Sequence, residues 1–465
     1  MESDVADKGT LIAGEILAAI GLELNQRIIP AISDADALHS AKMAEDILSH
    51  LSGWLLLGDE ISGAVVADFD ALTRGAVAPE LIDDHLLMSS PLGALRERLQ
   101  DDLEAGRTED IKSAVAADSK MFEAELRAIK CVRDETEERL RASERVVSSA
   151  LATEFLEAIL GPGHIVSAVD RAPGGYSKDT LFFSGAAPDG SDLPLVVRRD
   201  LPFGPGETTV IDEFHLIEGL WKAGFPVARP LALDAGGILG KPAMISERVA
   251  GRSGTEEWAR DEVLRDRICA SLADVAARLH RIDPIDFGLV EPGKNPREVV
   301  RDYVLEWQER WHRNRLHPSP VLAAGYAWLL ANIPERIDHV SIVHGDIGFH
   351  NTMVADGELT ALLDWEFAHL GDATEDLSYC RPFIEEIGGW ELFMETYRNA
   401  GGPEYREQNA RYFNVWRSVR NASSCATAWR GFTSGSYPAL KMVHQGIPLY
   451  RRFVREVAEA LRTCI

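Results

Sequence analysis

A chain of 465 residues with 46% hydrophobic residues has material for two or three domains and more than one buried core. A net charge of −26 argues against nucleic-acid or anionic-membrane binding, because both need clustered Lys and Arg. Residues 1–100 hold 17 Asp and Glu against 6 Lys and Arg, which reads as a solvated acidic surface or, less simply, as one that attracts cationic partners.

The five cysteines (Cys131, Cys269, Cys380, Cys425, Cys464) are odd in number and far apart, so neither a disulfide framework nor CxxC zinc spacing is available. The opening MESDVADKGT lacks a basic region ahead of an apolar core, and no apolar run reaches the roughly 18 residues of a membrane span. A reduced, cytoplasmic protein is expected.

Residues 9–147 read as almost entirely helical. TLIAGEILAAIGLEL and ALHSAKMAEDILSHLSGWLLL have apolar residues at helical spacing, and MFEAELRAIKCVRDETEERLRASERVV carries opposite charges three and four apart. Breaks are expected at Pro30, Gly53, Pro79 and Pro91. Residues 1–145 thus form an expected all-α domain, suited to docking or homodimerisation rather than chemistry. The pairs Glu45-Asp46, Asp83-Asp84 and Asp101-Asp102 read as solvated faces or N-terminal turns, and His39, His50 and His85 lack ligand partners at i+4.

After the helix LATEFLEAIL and the break Gly161-Pro162-Gly163, the pattern becomes strand-like through HIVSAVDRA, TLFFSGA and LPLVVRRD. Between the first two lies Gly174-Gly175-Tyr176-Ser177-Lys178, a turn whose glycines let backbone amides approach an anion and whose Ser and Lys add donors. Arg198 sits on LPLVVRRD, and fifteen residues later TTVIDEFHLIEGLWKAG carries Glu213. A strand cation paired with a glutamate on the next helix is how a kinase fold aims positive charge at nucleotide phosphates. RPLALDAG and KPAMISERVAG are two further strands, with a hinge placed at Gly251.

Beyond Gly251 the pattern is helical: DEVLRDRICASLADVAARLHRID, REVVRDYVLEWQERWHRNRLH and VLAAGYAWLLANIPERI. His280, on the last turn of the first, is a candidate ligand but reads more simply as a packing histidine or a cation favoured by the helix C-terminus. Trp307, Trp311, His312 and His317 either line an acceptor pocket or form a half-buried amphipathic face.

The most informative stretch is SIVHGDIGFHNTMVADGELTALLDWEFAHLGDATEDL, from Ser341 to Leu377. A short apolar strand ends on His344-Gly345-Asp346, and a polar loop then leads to Asn351. Asp356-Gly357 signals a two-residue hairpin that returns the chain so that Asp364 faces that loop. Asp346 is placed to accept a proton from, or orient, an attacking hydroxyl. Asn351 and Asp364 offer hard oxygens suited to Mg²⁺.

Together these residues resemble the aminoglycoside phosphotransferase and choline kinase family of small-molecule kinases. The resemblance rests on His344-Gly345-Asp346 with Asn351, on Asp364-Trp365-Glu366, Gly371-Asp372 and Asp376-Leu377, and on the glycine turn, Glu213 and the ERVAG hinge. It covers roughly residues 150–465 and is strongest to the phosphotransferase domains found with acyl-CoA dehydrogenases. It implies an α+β, bilobal protein-kinase-like fold: a mainly β N-lobe over 146–251 and a mainly helical C-lobe over 252–465, preceded by the all-α segment.

Carried over, the resemblance makes Asp346 the catalytic aspartate and Asn351 and Asp364 the magnesium ligands. Gly174, Gly175, Tyr176, Ser177 and Lys178 become the phosphate cover, Arg198 (or Arg199 in the next register) with Glu213 the phosphate-facing pair, and Glu247 and Val249 the hinge groups that meet the base of ATP or GTP. Arg198 departs from the lysine common at that position, and the two are not interchangeable. The expected reaction is phosphoryl transfer to a hydroxyl of a hydroxy acid, hydroxyacyl-CoA or hydrophobic alcohol or phenol catabolite. A cationic aminoglycoside is the alternative acceptor, and a kinase-shaped binding module the alternative of another class.

Overall fold

The structure is a computed structural model that describes residues 24, 28–33, 35–56 and 147–464, the last span without 173–176, 202, 205–206, 256–257, 286, 288, 290–292, 317, 435 and 438. The chain divides into two compact units. One comprises Arg145–Leu305 and Asn332–Arg417; the other comprises Met1–Glu144, Glu306–Ala331 and Ser418–Ile465.

In the second unit, helix α1 (Ala35–Leu56) runs through Gly53, which was expected to break it. A glycine inside a helix costs only about 1 kcal/mol, less than packing returns. Ile47 of α1 packs with Val443 and Ile447, and Asp46 accepts from or pairs with His444 Nε2 at 2.9 Å. These contacts join the N-terminal segment to residues near the C-terminus. Trp307 and Trp311, offered as acceptor-pocket residues, are 1% and 0% exposed, and Trp311 stacks on Tyr326. They are core. His317 and most of residues 1–146 lie outside the described residues.

The first unit opens with α2 (Ser149–Leu160), capped by the Ser148 hydroxyl, which accepts from the Leu151 amide. Five strands follow: β1 (Ile165–Arg171), β2 (Lys178–Ala186), β3 (Leu195–Asp200), β4 (Pro230–Asp234) and β5 (Ala243–Glu247). They form an antiparallel sheet in the order β1-β2-β3-β5-β4. Strand side chains alternate between faces. Leu181, Phe183, Leu195, Val197 and Ile245 therefore pack on Ala152, Phe155 and Leu156 of α2, while the intervening residues face the other way. Helix α3 (Val210–Lys222) lies between β3 and β4 in sequence; Thr209 and Asp212 form a reciprocal capping box at its start.

Past Glu247 come α4 (Glu262–His280), α5 (Pro296–Asn314) and α6 (Pro320–Ala331), then the short strands β6 (Ser341–Val343), β7 (Thr352–Ala355), β8 (Glu358–Leu362) and β9 (His369–Gly371). β6 pairs with β9, and β7 with β8 across the Asp356-Gly357 turn, whose φ values of 51° and 77° are those of the expected hairpin. Helices α7 (Thr374–Glu386), α8 (Trp390–Asn399) and α9 (Glu407–Thr433) follow. One apolar core runs from α3 through α4 to α7 and α8, including Leu220, Leu272, Ile347, Trp365 and Tyr397.

At the expected hinge, Gly251 has φ 111° and runs against β7; a Cβ there would lie 2.3 Å from the Val354 carbonyl oxygen. Arg252 and Val354 exchange both backbone hydrogen bonds at 2.9 Å. Only glycine permits this approach. Among the described residues no helix is long and apolar enough to cross a membrane.

Candidate active site

β6 delivers His344-Gly345-Asp346 into a buried loop fixed by Asp376 on α7. The Asp376 carboxylate accepts from the backbone amides of His344 and Gly345, both at 2.8 Å, and from His280 Nε2 at 3.0 Å. Burial opposes its ionisation, but the hydrogen bonds and charge of His280 outweigh that and hold the carboxyl below its ordinary range. His280 meets Tyr397 through Nδ1 at 2.8 Å, so the packing reading of this histidine is the one the geometry supports.

His344 lies between a carbonyl and an amide. Nε2 is 2.9 Å from the Leu363 carbonyl oxygen, and Nδ1 accepts from the Asp346 amide at 3.2 Å. A carbonyl only accepts and an amide only donates, so the ring is neutral with its proton on Nε2. Burial, which pushes the imidazole below its ordinary value, favours the same state. The ring thereby ties the loop before Asp346 to the strand end before Asp364.

Asp346 is gripped from its other side by Asn351, at the end of the 3₁₀ turn Phe349–Asn351. Asn351 Nδ2 donates to the Asp346 carbonyl at 3.0 Å and to Oδ2 at 2.9 Å. Its amide oxygen is thus turned away from Asp346. The Leu363 amide donates to the Asn351 carbonyl at 2.8 Å, so the hairpin brings the Asp364 segment beside the Asn351 loop as the sequence predicts. His350 Nε2 is 3.3 Å from Asp346 Oδ1, and that carboxylate, acting against burial, raises the imidazole above its ordinary value.

Asp364 has φ 64°, a left-handed conformation that Asp tolerates better than bulkier residues and that clusters at functional sites. Its Oδ1 is 2.7 Å from Arg198 Nη2, and Arg198 Nη1 is 2.7 Å from Glu213 Oε2 on α3. The open register choice is decided by strand alternation. Arg198 shares the face of β3 that looks toward α3, whereas Arg199 points to the opposite face and pairs with Asp179 at 2.6 Å. Lys178 turns inward. Its ammonium meets Glu213 Oε1 at 3.4 Å, Asp200 Oδ1 at 3.5 Å and the Thr208 carbonyl oxygen, so any service to a nucleotide runs through these neighbours. Ser177 is buried beside it and hydrogen-bonds Glu366. Gly174, Gly175 and Tyr176 lie outside the described residues. Glu247 ends β5, with its amide donating to the Arg229 carbonyl at 3.0 Å and its exposed side chain on Arg229; Val249 follows two residues on.

Glu366 carries a signal that the sequence motif alone does not interpret. Its Oε2 is buried with no hydrogen-bond partner, and burial together with the nearby Asp364 charge pushes the carboxyl up to about 8. Asp364, Asn351 and this orphaned oxygen are hard donors in one region and fit Mg²⁺, which takes few protein oxygens and completes its shell with water and phosphate. Among the described residues no group of three His, Cys, Asp or Glu side chains is placed to hold a metal ion by itself. Asp376 and Glu366 were visible in sequence only as members of motifs; their partners on other elements give them roles.

The family described as "Phosphotransferase enzyme family" matches residues 169–420, more than half of the chain. Acyl-CoA dehydrogenase family member 11 of Gallus gallus is 27% identical over 273 residues, covering 56% of this chain and 34% of that protein. The chain therefore spans about a third of the length of this relative. A homoserine kinase of Polaromonas naphthalenivorans is 26% identical over 195 residues, 40% of this chain and 55% of the relative. A crystal structure from Ralstonia eutropha, assigned to the aminoglycoside phosphotransferases, superposes with a TM-score of 0.51 at 20% identity, covering 68% of this chain and 98% of that one. That similarity shows the kinase-like fold.

Proposed function

The chain belongs to the phosphotransferase enzyme family, and from that premise we propose that it transfers the γ-phosphoryl group of ATP to a hydroxyl of a small hydroxy acid or its acyl thioester. The supporting observation is the meeting of Asp346, Asn351, Asp364, Arg198 and Glu213, drawn from two strand ends, a loop and a helix, within one hydrogen-bonded region. Such transfer depends on positioning and charge neutralisation more than on covalent chemistry.

Each residue has a physical task in this reading. Asp346, held by Asn351 through Oδ2, orients the attacking hydroxyl and takes its proton. Arg198 offers a planar fork to phosphate oxygens. Asn351 and Asp364, with Glu366 beside them, would hold Mg²⁺, which supplies charge neutralisation on the transferring phosphoryl group. Glu247 and Val249 sit where backbone groups meet the base.

The acid acceptor is favoured over the cationic antibiotic by the surroundings of Asp346. His350 touches Asp346, Phe383 lies 5.8 Å from the His350 ring, Tyr379 lies 6.1 Å from Phe383, and the Arg417 guanidinium stands 6.0 Å over the Tyr379 ring. Phe383 is 39% exposed, and among the described residues Arg417 forms no ion pair. An apolar wall ending in a guanidinium suits an acceptor with an apolar body and a carboxylate or phosphate group.

A mass-spectrometric screen for phosphate gain tests this across hydroxy acids, their CoA thioesters, phenols, sterols and aminoglycosides. Phosphorylation of an acid or thioester is expected, and Asp346→Ala should lower its rate by about 10²–10⁴-fold while leaving ATP affinity nearly unchanged. Phosphorylation of aminoglycosides alone would overturn the acceptor class. Mg²⁺-ATP binding without transfer to any acceptor would favour a binding module, and wild-type turnover by Asp346→Ala would remove that residue from its role.

A further inference from the structure

The fork of Arg198 is divided between two carboxylates, Nη1 to Glu213 Oε2 and Nη2 to Asp364 Oδ1, each at 2.7 Å. A guanidinium beside one buried carboxylate ordinarily takes both of its oxygens, because two parallel N–H···O bonds outweigh one. Here the second oxygen of Glu213 is buried, accepts no hydrogen bond and faces an ammonium instead. Lys178 Nζ stands 3.4 Å from Glu213 Oε1, and the two side chains are 4% and 0% exposed.

The ammonium is fixed from other directions as well. It donates to the Thr208 carbonyl and faces Asp200 Oδ1 at 3.5 Å, and Asp200 in turn accepts from the Val210 amide at the start of α3. The sheet register explains the placement: Lys178 pairs with Asp200 and Thr180 pairs with Arg198, so both cations lie on one face of the sheet. A lysine is a point charge with three donors, suited to three separate oxygens; an arginine is a flat fork, suited to spanning two groups.

We propose that Lys178 is a positioning residue whose charge compensates Glu213 Oε1 and thereby keeps Arg198 turned toward Asp364 and the nucleotide phosphates. The inference rests on the phosphotransferase reading of this site. It differs from the usual kinase arrangement, in which one strand cation and one helix glutamate form the whole pair. Glu213 Oε1 accepts no hydrogen bond, so without the ammonium this buried carboxylate oxygen also loses its ion pair. Rotation of Arg198 onto both Glu213 oxygens satisfies it and withdraws the fork from Asp364.

A double-mutant cycle on the full chain tests this, with Lys178→Met, Arg198→Met and the pair, read by the Kd of a fluorescent ATP (MANT-ATP) with Mg²⁺ and checked for folding by circular dichroism. Lys178→Met should weaken binding about tenfold beside Arg198 but less than about twofold in the Arg198→Met background, since residues acting through one another are non-additive. Lys178→Arg should restore most of the affinity. Should Lys178→Met fail to fold, Lys178→Ser, whose short side chain leaves room for water and does not reach Glu213, takes its place in the cycle. Equal effects in both backgrounds, or unchanged affinity, overturn the inference alone. Absence of Mg²⁺-dependent MANT-ATP binding by the unsubstituted chain overturns the phosphotransferase reading and the inference with it.

Discussion

Asp376 shows how one buried carboxylate can organise a loop it does not belong to. Two backbone amides and one imidazole converge on it, so its removal leaves three donors without an acceptor. Asn in its place presents an NH₂ group toward groups that can only donate. Asp376→Asn should therefore destabilise the fold by about 3 kcal/mol at neutral pH, measured by urea unfolding. The pH dependence has a definite sign. A carboxyl held below its ordinary value of 3.8 in the folded state contributes stability above that value and loses it as pH falls through the lower, folded one. The gap between wild type and Asp376→Asn should thus be full at pH 7 and narrow below about 4; a gap independent of pH would mean that the carboxylate charge is not what holds the loop.

At the scale of elements, the site depends on a hairpin and on a strand that runs against it. The β7–β8 hairpin returns the chain so that Leu363 hydrogen-bonds the Asn351 carbonyl, and the segment after the hinge is bonded to β7 through Arg252 and Val354. Gly251 is the point of closest approach. Gly251→Ala places a Cβ 2.3 Å from the Val354 carbonyl oxygen at a backbone φ of 111°, so the two backbones must separate. A loss of about 2–3 kcal/mol is expected in chemical denaturation, together with weaker Mg²⁺-ATP binding because Asn351 directly precedes β7. A loss below about 0.5 kcal/mol would show that the contact relaxes freely.

At the scale of the whole molecule, residues near the two ends of the sequence share one compact unit. Ile47 of α1 is 5% exposed and packs with Val443 and Ile447. Ile47→Ala should lower the stability of that unit by about 2–3 kcal/mol, read as an earlier transition in urea, because a buried aliphatic side chain is replaced by a cavity. An unchanged transition would mean that α1 contributes nothing to the packing around Val443 and Ile447.

The sequence by itself determined the chemistry-bearing stretch. The spacing of Asp346, Asn351 and Asp364, the Asp356-Gly357 turn and the strand alternation through Val196 and Val197 are local facts, fixed by chain geometry over a few residues, and the strands and helices they imply are present. Local pattern reaches no further. It left Arg198 and Arg199 equivalent, which pairing across the sheet separated by placing one toward Glu213 and the other toward Asp179. It offered Lys178 as a phosphate contact, whereas the fold turns that ammonium toward Glu213 and Asp200. Trp307 and Trp311 were open between pocket and core, and their burial makes them core. Gly53 read as a break, yet α1 continues through it. Asp376, Glu366 and His280 acquire their partners only when α4, α7 and the β6–β9 pair come together, because a buried charge is defined by what surrounds it in space rather than by its neighbours in the chain.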